Sequence, residues 1–351
     1  METIQILSER SQGPKRQLSA DLHLLDGVDP ARPAPEALRV IETLSHRGPR
    51  AHCDPEEARR RYRESRRPLL AALEPVDSVF EVRSSNAPPM KVIRPLGFEE
   101  GKLHTGIVYL HGGGWTVGDF ETYEPLCRQL ANAANAVVIW VEYRLAPEHP
   151  YPAAFDDTRH ALHWVHENHV SLGIDPARLG IAGDSSGGNL AAAACLAARE
   201  QQGSFLPKFQ ALIYPCLDLK ATLDSHTAFG EGYLLTTDLY AWYRRNYICG
   251  FVKSTHWRLS PLFAHDVSRL PPAIILYAGF DPLRDEAAAY AIRLREANVS
   301  VKTLYFPDMI HGFINMGGAI PAAKAGVQRI AAAIEETLSS QIARTDMRRV
   351  I

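Results

Sequence analysis

The segment 136–141 reads AVVIWV, with no polar side chain on either face of an extended chain. A strand wetted on one side alternates apolar with polar residues. A strand apolar on both sides belongs in a parallel sheet that helices cover on both faces. The run AIILY at 273–277 has the same character. From residue 78 onward such runs alternate with helical segments. Candidate strands fall at 78–83, 90–94, 105–110, 136–143, 179–182, 210–214, 273–277 and 301–306. Candidate helices fall at 123–134, 153–169, 188–201, 284–297 and 320–339. The alternation predicts an α/β fold built on a mostly parallel, eight-stranded central sheet with flanking helices.

A chain of 351 residues suffices for one large α/β domain with accessory elements. Residues 1–35 are polar and end in Pro30, Pro33 and Pro35, the composition of a loosely ordered extension. Residues 36–75 carry helical signals. Ala37, Leu38 and Ile41 share one face, and Asp54-Pro55-Glu56-Glu57 has the form of an N-cap followed by proline at the first helical position. The main unit is expected over 76–340, with a tail at 341–351. One segment breaks its rhythm. Residues 219–257 hold no clear strand but many aromatics, and Tyr240, Tyr243 and Tyr247 fall on one helix face. Such a helix is either a packed excursion or a lid over a site.

Composition excludes several classes. The formal net charge of −2 offers no basic balance for nucleic acid. Arginines do cluster at 59–61, 63 and 66–67; the simple reading is a solvated helix face, the alternative an anionic partner. Five scattered cysteines without a CxxC pair argue against a disulfide framework or a zinc ribbon, and Cys195 in an Ala-rich run reads as core. His160, His163, His166 and His169 recur at helical spacing, but no converging ligands accompany them, so they read as a helix face and no metal is expected. The chain has no run of 18 apolar residues and no apolar stretch after a basic start. No membrane span and a cytoplasmic location are expected.

Chemistry enters at Gly183-Asp184-Ser185-Ser186-Gly187-Gly188, between a short strand and an Ala-rich helix. G-x-S-x-G in a strand–turn–helix setting is a nucleophile elbow: small flanking residues permit a tight, strained turn that pushes the serine hydroxyl outward. The helix that follows points its positive end at the reacting centre. No lysine follows the glycines, so a phosphate loop is excluded. A second motif, His111-Gly112-Gly113-Gly114-Trp115, follows the strand at 105–110. Its glycines leave backbone N–H groups free to face a developing oxyanion, and Val117 rules out a dinucleotide fingerprint. Chain order then supplies a test, because an acid and a histidine should follow the later strands in that sequence. Asp281 is the first acid past 273–277, ahead of Asp285 and Asp308, and His311 lies past 301–306. The expected roles are Ser185 nucleophile, His311 general base and acid, and Asp281 orienting acid. Gly113, Gly114 and Ser186 would donate N–H groups to the oxyanion, with Gly112 a weaker third from the loop. Trp115, Tyr233 and Leu234 are candidate substrate contacts. Such a cycle needs no metal or organic cofactor.

These motifs resemble those of the hormone-sensitive-lipase family of α/β-hydrolases, the bacterial esterases with an HGGGW loop. The resemblance runs over about residues 75–340. It rests on HGGGW at 111–115, YRLAPEHPYPAAFDD at 143–157, GDSSGG at 183–188, DPLRDE at 281–286 and HGF at 311–313. It implies an α/β-hydrolase fold with a helical cap made from the N-terminal helices and 219–257. It implies a carboxylesterase acting on short- to medium-chain acyl esters, and a homodimer through the edge strand 301–306. Two features depart from the pattern. Ser186 stands where alanine is common, which leaves its backbone N–H unchanged, and the extension before residue 36 is longer than expected. His111, Asp184, Asp156, Asp157 and Glu148 read as loop supports. Two other functions share the fold: amide or formamide hydrolysis, and non-catalytic ligand reception as in the plant gibberellin receptors, which lack the triad histidine.

Overall fold

The computed structural model describes residues 31–45, 53–201, 205–249 and 252–349. The expected extension over 1–35 therefore lies outside the described residues up to residue 30. Helices α1 (Pro35–Ser45) and α2 (Pro55–Arg66) come first. Asp54 accepts the Glu57 N–H and caps α2, while Pro55 occupies the first turn, where its missing N–H costs nothing. Then follow β1 (Ser78–Ser84), β2 (Ala87–Arg94), β3 (His104–Leu110), α3 (Phe120–Ala134), β4 (Ala136–Val141), α4 (Ala153–Glu167), the short α5 (His169–Leu172), β5 (Ile174–Asp184) and α6 (Ser186–Glu200). The chain continues through β6 (Gln210–Ile213), α7 (Asp224–Ala228), α8 (Thr237–Tyr247), β7 (Ala273–Phe280), α9 (Arg284–Glu296), β8 (Val301–Ile310) and α10 (Ala322–Arg349).

Among the described residues the eight strands form one sheet in the order β1-β2-β4-β3-β5-β6-β7-β8. Only β2 runs against its neighbours; from β4 to β8 every pairing is parallel. Helices on both faces create two apolar layers. In β4 the alternation is complete: Val137, Ile139 and Val141 face one layer, and Ala136, Val138 and Trp140 face the other. That is why the AVVIWV run carries no polar residue.

Strand order decides where the chemistry sits. Crossing from β3 outward past β4 and then back to β5 reverses the direction of winding, and such reversals open a crevice at the carboxyl ends of the strands. β3, β5, β7 and β8 end at Leu110, Asp184, Phe280 and Ile310, immediately before His111, Ser185, Asp281 and His311. Two sequence expectations change at the ends of elements. β8 extends past 306 to Ile310 through a break in register, so His311 directly follows the strand instead of lying in a free loop. α10 continues to Arg349 through the region where a tail is expected, because residues 327–349 contain no proline or glycine to stop a helix.

Ile181 lies in the middle of β5, fully buried, three residues before the strand ends. Ile181→Ala should cost about 2–5 kcal/mol, through lost burial and the cavity left in a layer that cannot collapse. Urea unfolding measures this; a loss below about 1 kcal/mol would contradict the packing described.

Candidate active site

The turn between β5 and α6 holds Ser185 at φ 54° and ψ −117°, a conformation that side-chain-bearing residues rarely adopt. Its peptide N–H bonds to the Ile213 carbonyl at 2.8 Å, and its carbonyl accepts from Asn189 at 3.0 Å and Cys216 at 3.1 Å. The strained residue is thus fixed on both sides by neighbouring backbone. Its Oγ lies 3.0 Å from His311 Nε2, and His311 Nδ1 lies 2.8 Å from Asp281 Oδ2. A carboxylate only accepts, so Nδ1 carries the proton and Nε2 is left to accept from the serine. Asp281 is fully buried, and its other oxygen accepts the Leu283 N–H at 2.8 Å. Asp285 faces elsewhere, accepting from the Ser225 N–H at 2.9 Å and pairing with Arg284.

The glycine loop is built on His111. The ring is buried, stacks on Tyr143 at 4.2 Å, and donates through Nδ1 to the Gly112 carbonyl at 2.7 Å. Burial pushes it down to about 4, so it stays neutral. Asp184 ties this loop to the elbow: Oδ1 accepts from the Gly112 N–H at 2.8 Å and from Tyr109 at 3.0 Å, and Oδ2 accepts from Tyr123 at 3.1 Å. Burial pushes Asp184 up to about 6 against the pull of those three donors. Gly113 and Gly114 take φ of 114° and 59°. A β-carbon at Gly114 would lie 2.1 Å from the Tyr243 ring, so α8 can close over the loop only because nothing is there.

These groups face a cavity partly open to solvent. Gly113, Gly114, Trp115, Ser185, Ser186 and His311 line it. A family model described as alpha/beta hydrolase fold matches residues 107–315. The chain is 41% identical to the carboxylic ester hydrolase LipN of Mycobacterium tuberculosis over 72% of its own length and 67% of that relative. It is 34% identical to an ethyl acetate hydrolase of Pseudomonas putida over 81% of its length and 90% of the relative. The structure matches a hyperthermophilic esterase from the archaeon Pyrobaculum calidifontis with a TM-score of 0.81 and 35% identity, covering 87% of this chain and 98% of that one.

The chain belongs to the hormone-sensitive-lipase family of α/β-hydrolases. Within this family member, two expected contacts need correction. Gly112 is no free oxyanion donor, because its N–H is spent on Asp184. Tyr233 does not line the cavity: the backbone turns at Leu234 (φ 75°), sending Leu234 and Leu235 into the wall while Tyr233 packs on Phe229 and Phe280. Trp115 both lines the cavity and stacks on Tyr247 at 4.2 Å, so packing and contact are one role. From the aromatic segment, Leu239, Tyr240 and Tyr243 also line the cavity. The histidines of α4 gather no metal-binding cluster among the described residues.

Sequence reasoning missed Arg66, Tyr62 and Tyr123, all in the cavity wall. The spacing of Ala58, Tyr62 and Arg66, four apart on one buried face of α2, was the available signal. The arginine cluster is a solvated face only in part. Arg59, Arg60, Arg61, Arg63 and Arg67 each pair with a carboxylate, whereas Arg66 turns inward and is 7% exposed.

Asp184 gives a pH signature. Its carboxyl is raised in the folded protein above the unfolded value near 3.8, so ionisation penalises folding. The penalty is absent below that value, grows as pH rises, and is complete above about 6. Asp184→Asn loses hydrogen bonds but also removes the penalty. Its deficit relative to the parent protein, from urea unfolding at pH 4.5 and 6.5, should therefore shrink at the higher pH (about 4.5 to 6.5 brackets the change). A deficit that grows with pH would show that the three donors overcome the burial.

Proposed function

We propose that this chain hydrolyses short- to medium-chain acyl esters through an acyl-enzyme formed on Ser185. Carboxylic ester hydrolysis itself comes with membership of the family. The observation that supports the route is the unbroken hydrogen-bond chain from Ser185 through His311 to Asp281, at 3.0 and 2.8 Å, opening onto a cavity with an apolar wall.

His311 Nε2 takes the proton of Ser185 as Oγ attacks the ester carbonyl. Asp281 holds the Nδ1 tautomer and stabilises the imidazolium that forms. The carbonyl oxygen becomes an oxyanion. The N–H groups of Gly113 and Gly114 have no acceptor among the described residues, and that of Ser186 opens α6, where no intrahelical acceptor exists. Collapse of the tetrahedral intermediate expels the alkoxide, which takes the proton from His311. Water, activated by the same imidazole, then releases the acid. The cycle uses side chains, backbone and water alone.

The apolar wall from Leu234, Leu235 and Leu239 suits a short acyl or alkyl arm. In this reading α1, α2 and the 219–257 segment form the cap. β8 is the last strand of the sheet, and its stretch 301–306 would pair with a second copy in a homodimer. Among the described residues no helix is long and apolar enough to cross a membrane, in keeping with a cytoplasmic enzyme.

Ser185→Ala should lower kcat on p-nitrophenyl butyrate by roughly 10⁴-fold or more, His311→Ala by a similar amount, and the double variant by little beyond either. Activity of Ser185→Ala above about a tenth of the parent would remove Ser185 from the role proposed. The same assay against N-formylkynurenine separates ester from amide specificity; faster turnover of the amide would sink the ester reading.

A further inference from the structure

Arg66 closes α2 with its side chain in the wall of the catalytic cavity. It is 7% exposed, and its Nε and Nη1 have no hydrogen-bond partner among the described residues. A buried guanidinium with idle donors is costly, and such groups ordinarily find an acceptor. The protein supplies partial relief only. The guanidinium carbon lies 5.2 Å from the centre of the Tyr62 ring, and the carboxyl end of α2 favours a cation, but neither accepts a hydrogen bond from Nε or Nη1. The buried acids of the site are committed. Asp184 accepts from Tyr109, Tyr123 and Gly112, and Asp281 from His311 and Leu283. The guanidinium also lies beside the reaction centre. A β-carbon added at Gly312, the residue after His311, would sit 3.6 Å from Arg66 Nη2.

We propose that Arg66 is a specificity determinant that binds a carboxylate carried by the ester substrate, so that the preferred substrate is an anionic ester with one apolar arm. A planar guanidinium offers two parallel N–H donors to a carboxylate, and this one is already desolvated and held by the cap. The leucines of the same cavity, Leu234, Leu235 and Leu239, take the apolar arm. The carboxylate can sit on the acid half of the ester or on the alcohol half, and both present the same group to Arg66. The inference rests on the esterase reading above.

The test compares kcat/KM for anionic and neutral esters of matched size, using the full chain. Mono-p-nitrophenyl glutarate against p-nitrophenyl pentanoate probes the acid half. Acetoxyacetate against acetoxyacetamide probes the alcohol half. Arg66→Met should lower the anionic-to-neutral ratio of kcat/KM in one pair by about tenfold or more, chiefly through KM for the anionic member; Arg66→Lys should fall between. The pair that responds identifies the half carrying the carboxylate. An anionic-to-neutral ratio unchanged by Arg66→Met in both pairs overturns the proposal. If the Met variant does not fold, the parent protein decides: it should turn over one anionic ester at least as well as its neutral partner, and a rate below about a tenth of the neutral one in both pairs overturns the proposal. No turnover of any of the four esters, anionic or neutral, by the parent protein would instead overturn the esterase reading, and this inference with it.

Discussion

The first turn of α6 runs so close to the end of β3 that a β-carbon at Gly187 would lie 1.9 Å from the Leu110 carbonyl oxygen. The rest of the site depends on that approach. It brings the positive end of a helix, a strained serine and a glycine loop from another strand into one small volume. The carboxylate of Asp184 then locks them together, reaching from the residue before the serine to the Gly112 N–H. A side chain at 187 would push the helix away and separate Ser185 from the glycine loop. Glycine at this position is therefore a packing requirement of the chemistry, and the Ala-rich sequence of α6 extends the close approach along the sheet.

The parts of this arrangement that were legible in the sequence share a property: each is specified by residues close together in the chain. The elbow and the glycine loop are local, and the acid and the histidine follow from a rule of chain order. Asp281 could be preferred over Asp285 because a residue at a strand end faces the crevice, whereas one a turn into a helix faces the sheet's flank. The illegible parts are those decided between distant segments. Gly112 belongs to the same run as Gly113 and Gly114, and only the position of Asp184, 72 residues later, shows that its N–H is taken. Tyr233 and Leu234 differ by one residue, and the left-handed turn at Leu234 decides which one enters the cavity. Arg66 stood among five arginines of similar appearance. Its difference lies in pairing with no carboxylate among the described residues, which no local pattern shows.

The cavity has two unlike walls, and their origins differ. The apolar wall comes from an excursion between β6 and β7, set on the sheet by the N-cap of Thr236 and by Tyr240, whose hydroxyl donates to the Asp218 carbonyl at 2.8 Å. The polar wall comes from the N-terminal helices, attached by surface ion pairs such as Arg63–Asp119 and Arg59–Glu148. Pairs this exposed contribute little each, about 1 kcal/mol or less. The apolar contacts of Ala58 and Tyr62 with the main core therefore hold the polar wall in place, and Arg66 is carried inward as their neighbour on the same helical face.

The DPLRDE segment shows how one short stretch coordinates His311 and the cavity wall. Asp281, at the strand end, holds His311. Asp285, one turn on, accepts the Ser225 N–H and anchors the start of the excursion. Glu286 is fully buried and accepts from the N–H groups of Leu217 and Asp218, the residues after Cys216 of the cavity wall, with His226 at 3.2 Å. Burial pushes Glu286 up to about 7 although those bonds favour its charge. Three acids within six residues thus serve three distances from the chemistry: the imidazole, the entry to α7, and the loop beneath α8. A shift of β7 along its neighbours would move all three together, so His311 and the cavity wall keep their relation to each other.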